Sequence, residues 1–172
     1  MKKLVFALAA LALSAAAHAQ EARRPFGLGI SIVPLEGAGS RTIEVYAPIS
    51  VAPTLRIEPS LGVLTQDRPA AQPDRSDVTV GVGLFYVQRL AAPFDLYMGG
   101  RLKLNFASVD DGVNDHSGTD VILAAAIGGE HYLTTNFSLG AEAQLGFRSD
   151  SDASGDSSGV FTTGLAFLRF YF

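Results

Sequence analysis

Gly164-Leu165-Ala166-Phe167-Leu168-Arg169-Phe170-Tyr171-Phe172 closes the chain, and its side chains alternate in character. Successive side chains of an extended strand point to opposite faces. Gly164, Ala166, Leu168, Phe170 and Phe172 therefore share one face, and Leu165, Phe167, Arg169 and Tyr171 share the other. The first face is wholly apolar; the second carries a guanidinium and a phenol. The pattern predicts a strand with unlike surroundings on its two sides.

Seven earlier segments repeat it. The strands are expected at Pro25–Pro34, Thr42–Ser50, Leu55–Thr65, Asp77–Leu90, Phe94–Phe106, Thr119–Leu133 and Phe137–Arg148, with Val160–Phe172 the eighth. In the fifth, Phe94, Leu96, Met98, Leu102, Leu104 and Phe106 oppose Asp95, Tyr97, Arg101, Lys103 and Asn105. In the seventh, Phe137, Leu139, Ala143, Leu145 and Phe147 oppose Ser138, Gly140, Glu142, Gln144 and Arg148. The recurrence is every second residue, not every third or fourth, so no segment fits a helix.

The first 19 residues are of another kind. Lys2 and Lys3 precede an apolar run from Leu4 to Leu13, and Ala17-His18-Ala19 supplies a small-x-small cleavage site. This predicts a secretory signal peptide over 1–19 and a mature domain over 20–172. The run is shorter than the ~20 residues of a spanning helix. Loss of Lys2 and Lys3 lowers the 13 basic residues to 11 against 17 acidic ones, a formal charge of −6. That balance argues against a nucleic-acid partner. Cysteine is absent, so no disulfide and no lipid-modified N-terminal cysteine is expected.

The connections alternate too. Leu35–Arg41, Gln66–Ser76, Ala107–Gly118 and Ser149–Gly159 are long or polar, whereas Val51–Thr54, Ala91–Pro93 and Thr134–Asn136 are tight. Long and short links in strict rotation, over an even number of strands, put all long loops at one end and both termini at the other. That arrangement suits a transmembrane barrel, with long loops outside the cell and tight turns in the periplasm.

The whole of 20–172 resembles the small eight-stranded outer-membrane barrels typified by outer-membrane proteins A and X. The resemblance rests on the leader, strand count, loop asymmetry and final aromatic strand. It implies an all-β, eight-stranded antiparallel up-and-down transmembrane β-barrel in the cell outer membrane. It also implies that Phe170 and Phe172 act as the assembly signal read by the barrel-assembly machinery. The expected surroundings are outer-membrane lipid and lipopolysaccharide, and the expected state is a monomer. The peptidoglycan-binding domain of larger members is not expected after Phe172.

On this reading the charged faces point inward, because Arg or Lys at the lipid midplane costs ~2–4 kcal/mol. Glu44, Glu58, Glu130 and Glu142 then meet Arg56, Arg101, Lys103 and Arg169 inside. Eight strands leave a lumen that side chains can fill. The expectation is two salt-bridged layers plugging it: Glu44, Arg101, Lys103 and Glu142 in the middle and outer lumen, and Arg56, Glu58, Glu130 and Arg169 nearer the periplasm. Inner glycines such as Gly29, Gly81, Gly83 and Gly128 make room for the long side chains.

Two other functions compete with this reading. Some eight-stranded barrels are lipid A-modifying enzymes of the deacylase kind, which need a serine and a histidine within hydrogen-bond reach. Here His116 lies beside Ser117 and Asp115 in a loop, and His131 shares parity with the lipid face. No catalytic, cofactor-binding or metal site is assigned, and no cofactor is expected. A narrow ion-conducting pore is opposed by the lumen's size and balanced charge. Asp110, Asp111, Asp115, Asp150, Asp152 and Asp156 make the third and fourth loops acidic, a composition that suits divalent cations or a solvated surface. N-terminal sequencing of the membrane-extracted protein is expected to begin at Gln20; a chain still beginning at Met1 would refute cleavage.

Overall fold

A computed structural model describes residues 24–32, 43–66, 74–110, 115–149 and 158–172. The leader and the tips of the four long loops lie outside the described residues. The described residues form nine strands: β1 (Gly27–Ile32), β2 (Ile43–Tyr46), β3 (Ile49–Ala52), β4 (Leu55–Gln66), β5 (Asp74–Ala91), β6 (Phe94–Asp110), β7 (Asp115–Tyr132), β8 (Phe137–Arg148) and β9 (Gly159–Tyr171). Consecutive strands pair antiparallel except β2 and β3, which both pair with β4; β9 pairs with β1, and β2 pairs with β1. The sheet is thus a closed antiparallel barrel, and closure removes the unpaired edges that lipid could not satisfy.

β2 and β3 are two halves of one staple of the wall, so the barrel has eight staves. The expected single strand Thr42–Ser50 is interrupted at Ala47-Pro48 and runs on to Ala52. Pro48 lacks an N–H, and so does Pro59 on the facing strand. Gly27 N donates to Pro48 O (3.0 Å) and Ala47 N donates to Pro59 O (2.9 Å), but neither proline can return the second bond of its pair. The ladder loses two rungs while the path of the chain continues.

The long loops differ from expectation in extent. Ala107–Asp110 and Asp115–Gly118 are paired strand, with Val109 opposite His116 and Asp110 opposite Asp115. Thr65 and Gln66 likewise pair with Ser76 and Arg75. β5, β6 and β7 reach 18, 17 and 18 residues. At ~3.3 Å per residue and a tilt near ~40°, such strands rise ~45 Å, well beyond the ~25 Å apolar band of a barrel. Backbone pairing outlasts the apolar pattern because polar Ser and Asp side chains satisfy a strand in water as well as a loop.

The tight turns sit as expected, and each is tied to the next strand of the wall. Val87 N donates to Thr54 O (2.9 Å), Tyr132 N to Pro93 O (2.9 Å) and Tyr171 N to Asn136 O (2.7 Å). In the last turn Thr134 Oγ1 accepts from the backbone N–H of Asn136 and of Phe137.

Burial inverts the pattern of a water-soluble domain. Leu84, Leu123, Ile127 and Leu145 are 55–61% exposed on the outside, while Arg101, Arg169, Glu58 and Glu130 are at most 2% exposed within. The barrel wall separates an apolar exterior from a charged interior.

Inner glycines lie under bulky neighbours. A Cβ on Gly128 would run into the Tyr97 ring and stand 2.8 Å from Ala141 O, and Tyr97 is fully buried. At Gly100 the nearest atom is 3.6 Å away. Gly128→Val is therefore expected to lose ~1–3 kcal/mol by overpacking, and Gly100→Val to lose much less. Urea unfolding in vesicles checks the contrast; equal losses would refute it.

Candidate functional site in the barrel lumen

The lumen is filled from facing strands, because every second residue of each projects inward. All eight charged residues singled out in the sequence are buried there. Glu58, on β4, is where they join. Arg101 Nη2 lies 2.9 Å from Glu58 Oε2, Arg169 Nη2 lies 2.7 Å from Oε1, and Arg56 Nη1 lies 3.5 Å from Oε1. Three guanidiniums from β4, β6 and β9 thus converge on one carboxylate.

Towards the tight turns, Glu130 receives Arg56 Nη1 (2.8 Å) and Arg169 Nη1 (2.9 Å) on Oε2. Its Oε1 accepts from Ser138 (2.6 Å) and the Tyr171 phenol (2.7 Å). Towards the long loops, Glu142 takes Arg101 Nε (2.7 Å) and Nη2 (2.7 Å) as a fork, with Tyr97 (2.8 Å) and Gln144 (2.6 Å) completing its shell. Forked Arg–carboxylate pairs fix geometry as well as supply energy.

Lys103 pairs with Glu44 at 2.6 Å. Glu44 also accepts from Tyr46, whose hydroxyl meets Ser31 at 2.6 Å. The Tyr46 ring faces the Arg101 guanidinium at 4.9 Å, with Phe85 against it at 4.7 Å. Arg169 similarly lies over Phe167 at 4.0 Å. Aromatic faces supply the contact that water would otherwise make with these cations.

The expected two layers are one connected network. Glu58 reaches both ways because its two oxygens point to different arginines, a geometry that strand parity does not encode. Sequence reasoning also passed over lumen groups. Tyr46, Tyr97, Tyr171, Ser138 and Gln144 share inward parity with the charges and supply their remaining hydrogen bonds. Asp77, Asp95 and Asp120 are buried as well, so the balance of four acids against four bases was incomplete. Near the long-loop end Asn105 Nδ2 donates at 3.4 Å to both Asp77 Oδ1 and Asp120 Oδ2, and Asn105 Oδ1 accepts from Thr79 Oγ1 at 2.8 Å.

Phe170 and Phe172 lie outside this network, on the outer face, each 49% exposed. Phe172 stacks on Phe26 at 5.4 Å, and its N–H donates to Phe26 O (3.0 Å). Phe172 is thereby fastened to the residue that precedes β1. Ser117 is an exposed strand residue of β7, His131 is half-buried on the outward face, and among the described residues no group of His, Cys, Asp and Glu forms a metal centre.

A family model described as the outer membrane protein beta-barrel domain matches residues 5–168. The chain belongs to this family. Among solved structures, this outer-membrane barrel is similar to Neisserial surface protein A, with 22% identity, a TM-score of 0.56, and coverage of 86% of this chain and 94% of that one. It is similar to the N-terminal barrel domain of Pseudomonas aeruginosa OprF at 12% identity and a TM-score of 0.59, covering 87% and 98%. It is also similar to Ail of Yersinia pestis, solved with the heparin analogue sucrose octasulfate, at 16% identity and a TM-score of 0.55, covering 85% and 94%. At these identities the likeness is one of fold. No curated protein sequence matches the chain.

Removing one member of a buried charge network leaves its partners desolvated and unpaired, at a cost of ~3–5 kcal/mol. Glu58→Ala strands parts of three guanidiniums and is expected to cost that much. Glu44→Ala strands Lys103, itself 7% exposed, and frees the Tyr46 hydroxyl, which keeps Ser31 as a partner, so it is expected to cost less. Equilibrium unfolding of the two variants in vesicles checks the order, which a reversed ranking would overturn.

Proposed function

We propose that this outer-membrane barrel is a non-catalytic integral protein whose lumen is closed by its ion-pair network. In this reading it contributes to envelope integrity and offers its acidic external loops for surface interaction. The observation that carries it is the convergence of Arg56, Arg101 and Arg169 on Glu58, which spans the lumen from three strands. A conducting path needs groups that exchange partners with passing ions; these groups hold one another instead.

A catalytic reading finds little support. The serine–histidine spacing that a deacylase-like site needs is absent around His116 and Ser117. A polyanion such as the heparin analogue bound by Ail fits poorly here, since the third and fourth loops carry six aspartates. Divalent cations bridging lipopolysaccharide phosphates suit that composition better. The apolar outer face is the lipid contact, the leader is cleaved after Ala19, and Phe170 and Phe172 present the closing strand to the assembly machinery. The protein works as a monomer, with its tight turns in the periplasm.

Planar-bilayer recording tests the plug. The refolded wild-type barrel is expected to show no steady channel, and Arg101→Ala to raise conductance and lower stability together. A steady, ion-selective wild-type channel, whose selectivity Arg101→Ala alters at unchanged stability, would replace the plug with a filter.

A further inference from the structure

We propose that the tight-turn mouth of the barrel is a binding site for a small phosphate-bearing anion. A cavity of about 240 Å³ opens there, lined by Arg24, Pro53, Arg56, Arg89, Asp95 and Tyr132 among others. Glu130, behind the lining, already holds Arg56, so Arg24 and Arg89 against Asp95 leave the mouth with a positive balance. This mouth differs in sign from the other end of the lumen, where Asp77 and Asp120 are buried around Asn105.

The three arginines are held in place by different means. Arg89 stands opposite Asp95 in the β5–β6 register. Arg24 is set against β3 because Ser50 N donates to Pro25 O (2.7 Å) and Phe26 bridges Ile49. Arg56, only 2% exposed, forms the floor. Its Nη1 serves Glu130 and Glu58, and its Nη2 approaches the Tyr132 hydroxyl at 3.5 Å. Its Nε–H is buried and has no acceptor among the described residues. A buried guanidinium with a donor to spare, under two exposed arginines, is a built receptor for an oxyanion rather than a rim of solvated charge.

Shape and chemistry narrow the ligand. The volume lies below the ~300–1,000 Å³ of sites for drug-sized molecules, so it takes a phosphate group and little more. Guanidinium forks match the oxygens of phosphate, and several forks around one point favour a tetrahedral anion with oxygens on every side. Two sources offer that chemistry where the mouth faces the periplasm: a free phosphate and the headgroup of an anionic phospholipid folded over the Pro53 rim.

The test uses the mature barrel refolded in zwitterionic micelles, with Arg89→Gln as the variant, since Arg89 is exposed and lies outside the buried network. Arg148→Gln, at the opposite end of β8, is the control. Titration with inorganic phosphate, followed by phosphorus NMR, is expected to show saturable binding about fivefold weaker in Arg89→Gln, the size of one partly exposed ionic contact. Arg148→Gln should bind as the wild type does. In parallel, thermal unfolding is compared in phosphatidylcholine vesicles with and without phosphatidylglycerol. If phosphate does not bind but phosphatidylglycerol stabilises the wild type and not Arg89→Gln, the headgroup is the ligand. If neither anion has an effect, or if Arg89→Gln and Arg148→Gln respond alike, the site does not exist.

Discussion

A barrel in lipid has two interiors to satisfy, and the carboxylate of Glu58 is where the second is resolved. Outside, hydrocarbon tolerates only apolar side chains. Inside, eight staves leave space too narrow for bulk water and too wide for alanine. Long side chains fill that space best, and the long ones with hydrogen-bonding ends are Arg, Glu and Tyr. Once buried, the arginines need acceptors at several points each, and Glu58 gives two oxygens to three of them. The placement of Glu130, Glu142 and the tyrosines follows from completing the valence of the same guanidiniums.

The glycines belong to that account. Gly29 backs onto the Arg169 stem, Gly81 onto that of Lys103, and Gly83 onto the Phe85 ring beside Arg101. A side chain at these positions would compete with the network for volume. The lumen is therefore a packing of unequal partners, long residues laid across bare stretches of the opposing wall. Buried ion pairs of this sort are weak sources of net stability, but they specify which strand faces which. A register slip of one residue would turn the charges into lipid.

Much of this was written in the period of the sequence. Parity at Phe94–Phe106 and Phe137–Arg148 separates outside from inside because the two solvents demand opposite chemistry. Tight turns at Pro53, Pro93 and Asn136 mark where strands reverse. Less legible was where strands end: Ala107–Gly118 has loop composition, yet eight of its twelve residues pair, because hydrogen bonding to a neighbour is not visible in one strand's residues. The break at Pro48 was readable in principle, since a proline in a wall without edges must forfeit a bond. Which arginine meets which acid was not legible, because it depends on the tilt and stagger of strands distant in sequence. Asp77, Asp95 and Asp120 share inward parity, but they sit at the ends of the spans, where parity alone does not distinguish buried from solvated.

The missing rungs at Pro48 and Pro59 have a mechanical side. β6 is bonded to β7 along all 17 of its residues, while β1, β2 and β4 meet across the two prolines that cannot return a bond. The wall is thus a continuous hairpin array on one side and a seam interrupted at Pro48 and Pro59 on the other. Lateral pressure from the bilayer falls equally on both, so shape fluctuations gather at the seam. The fastening of Phe172 to Phe26 lies at the foot of that seam. It works there as a clasp, confining the softness of the barrel to the stretch above it.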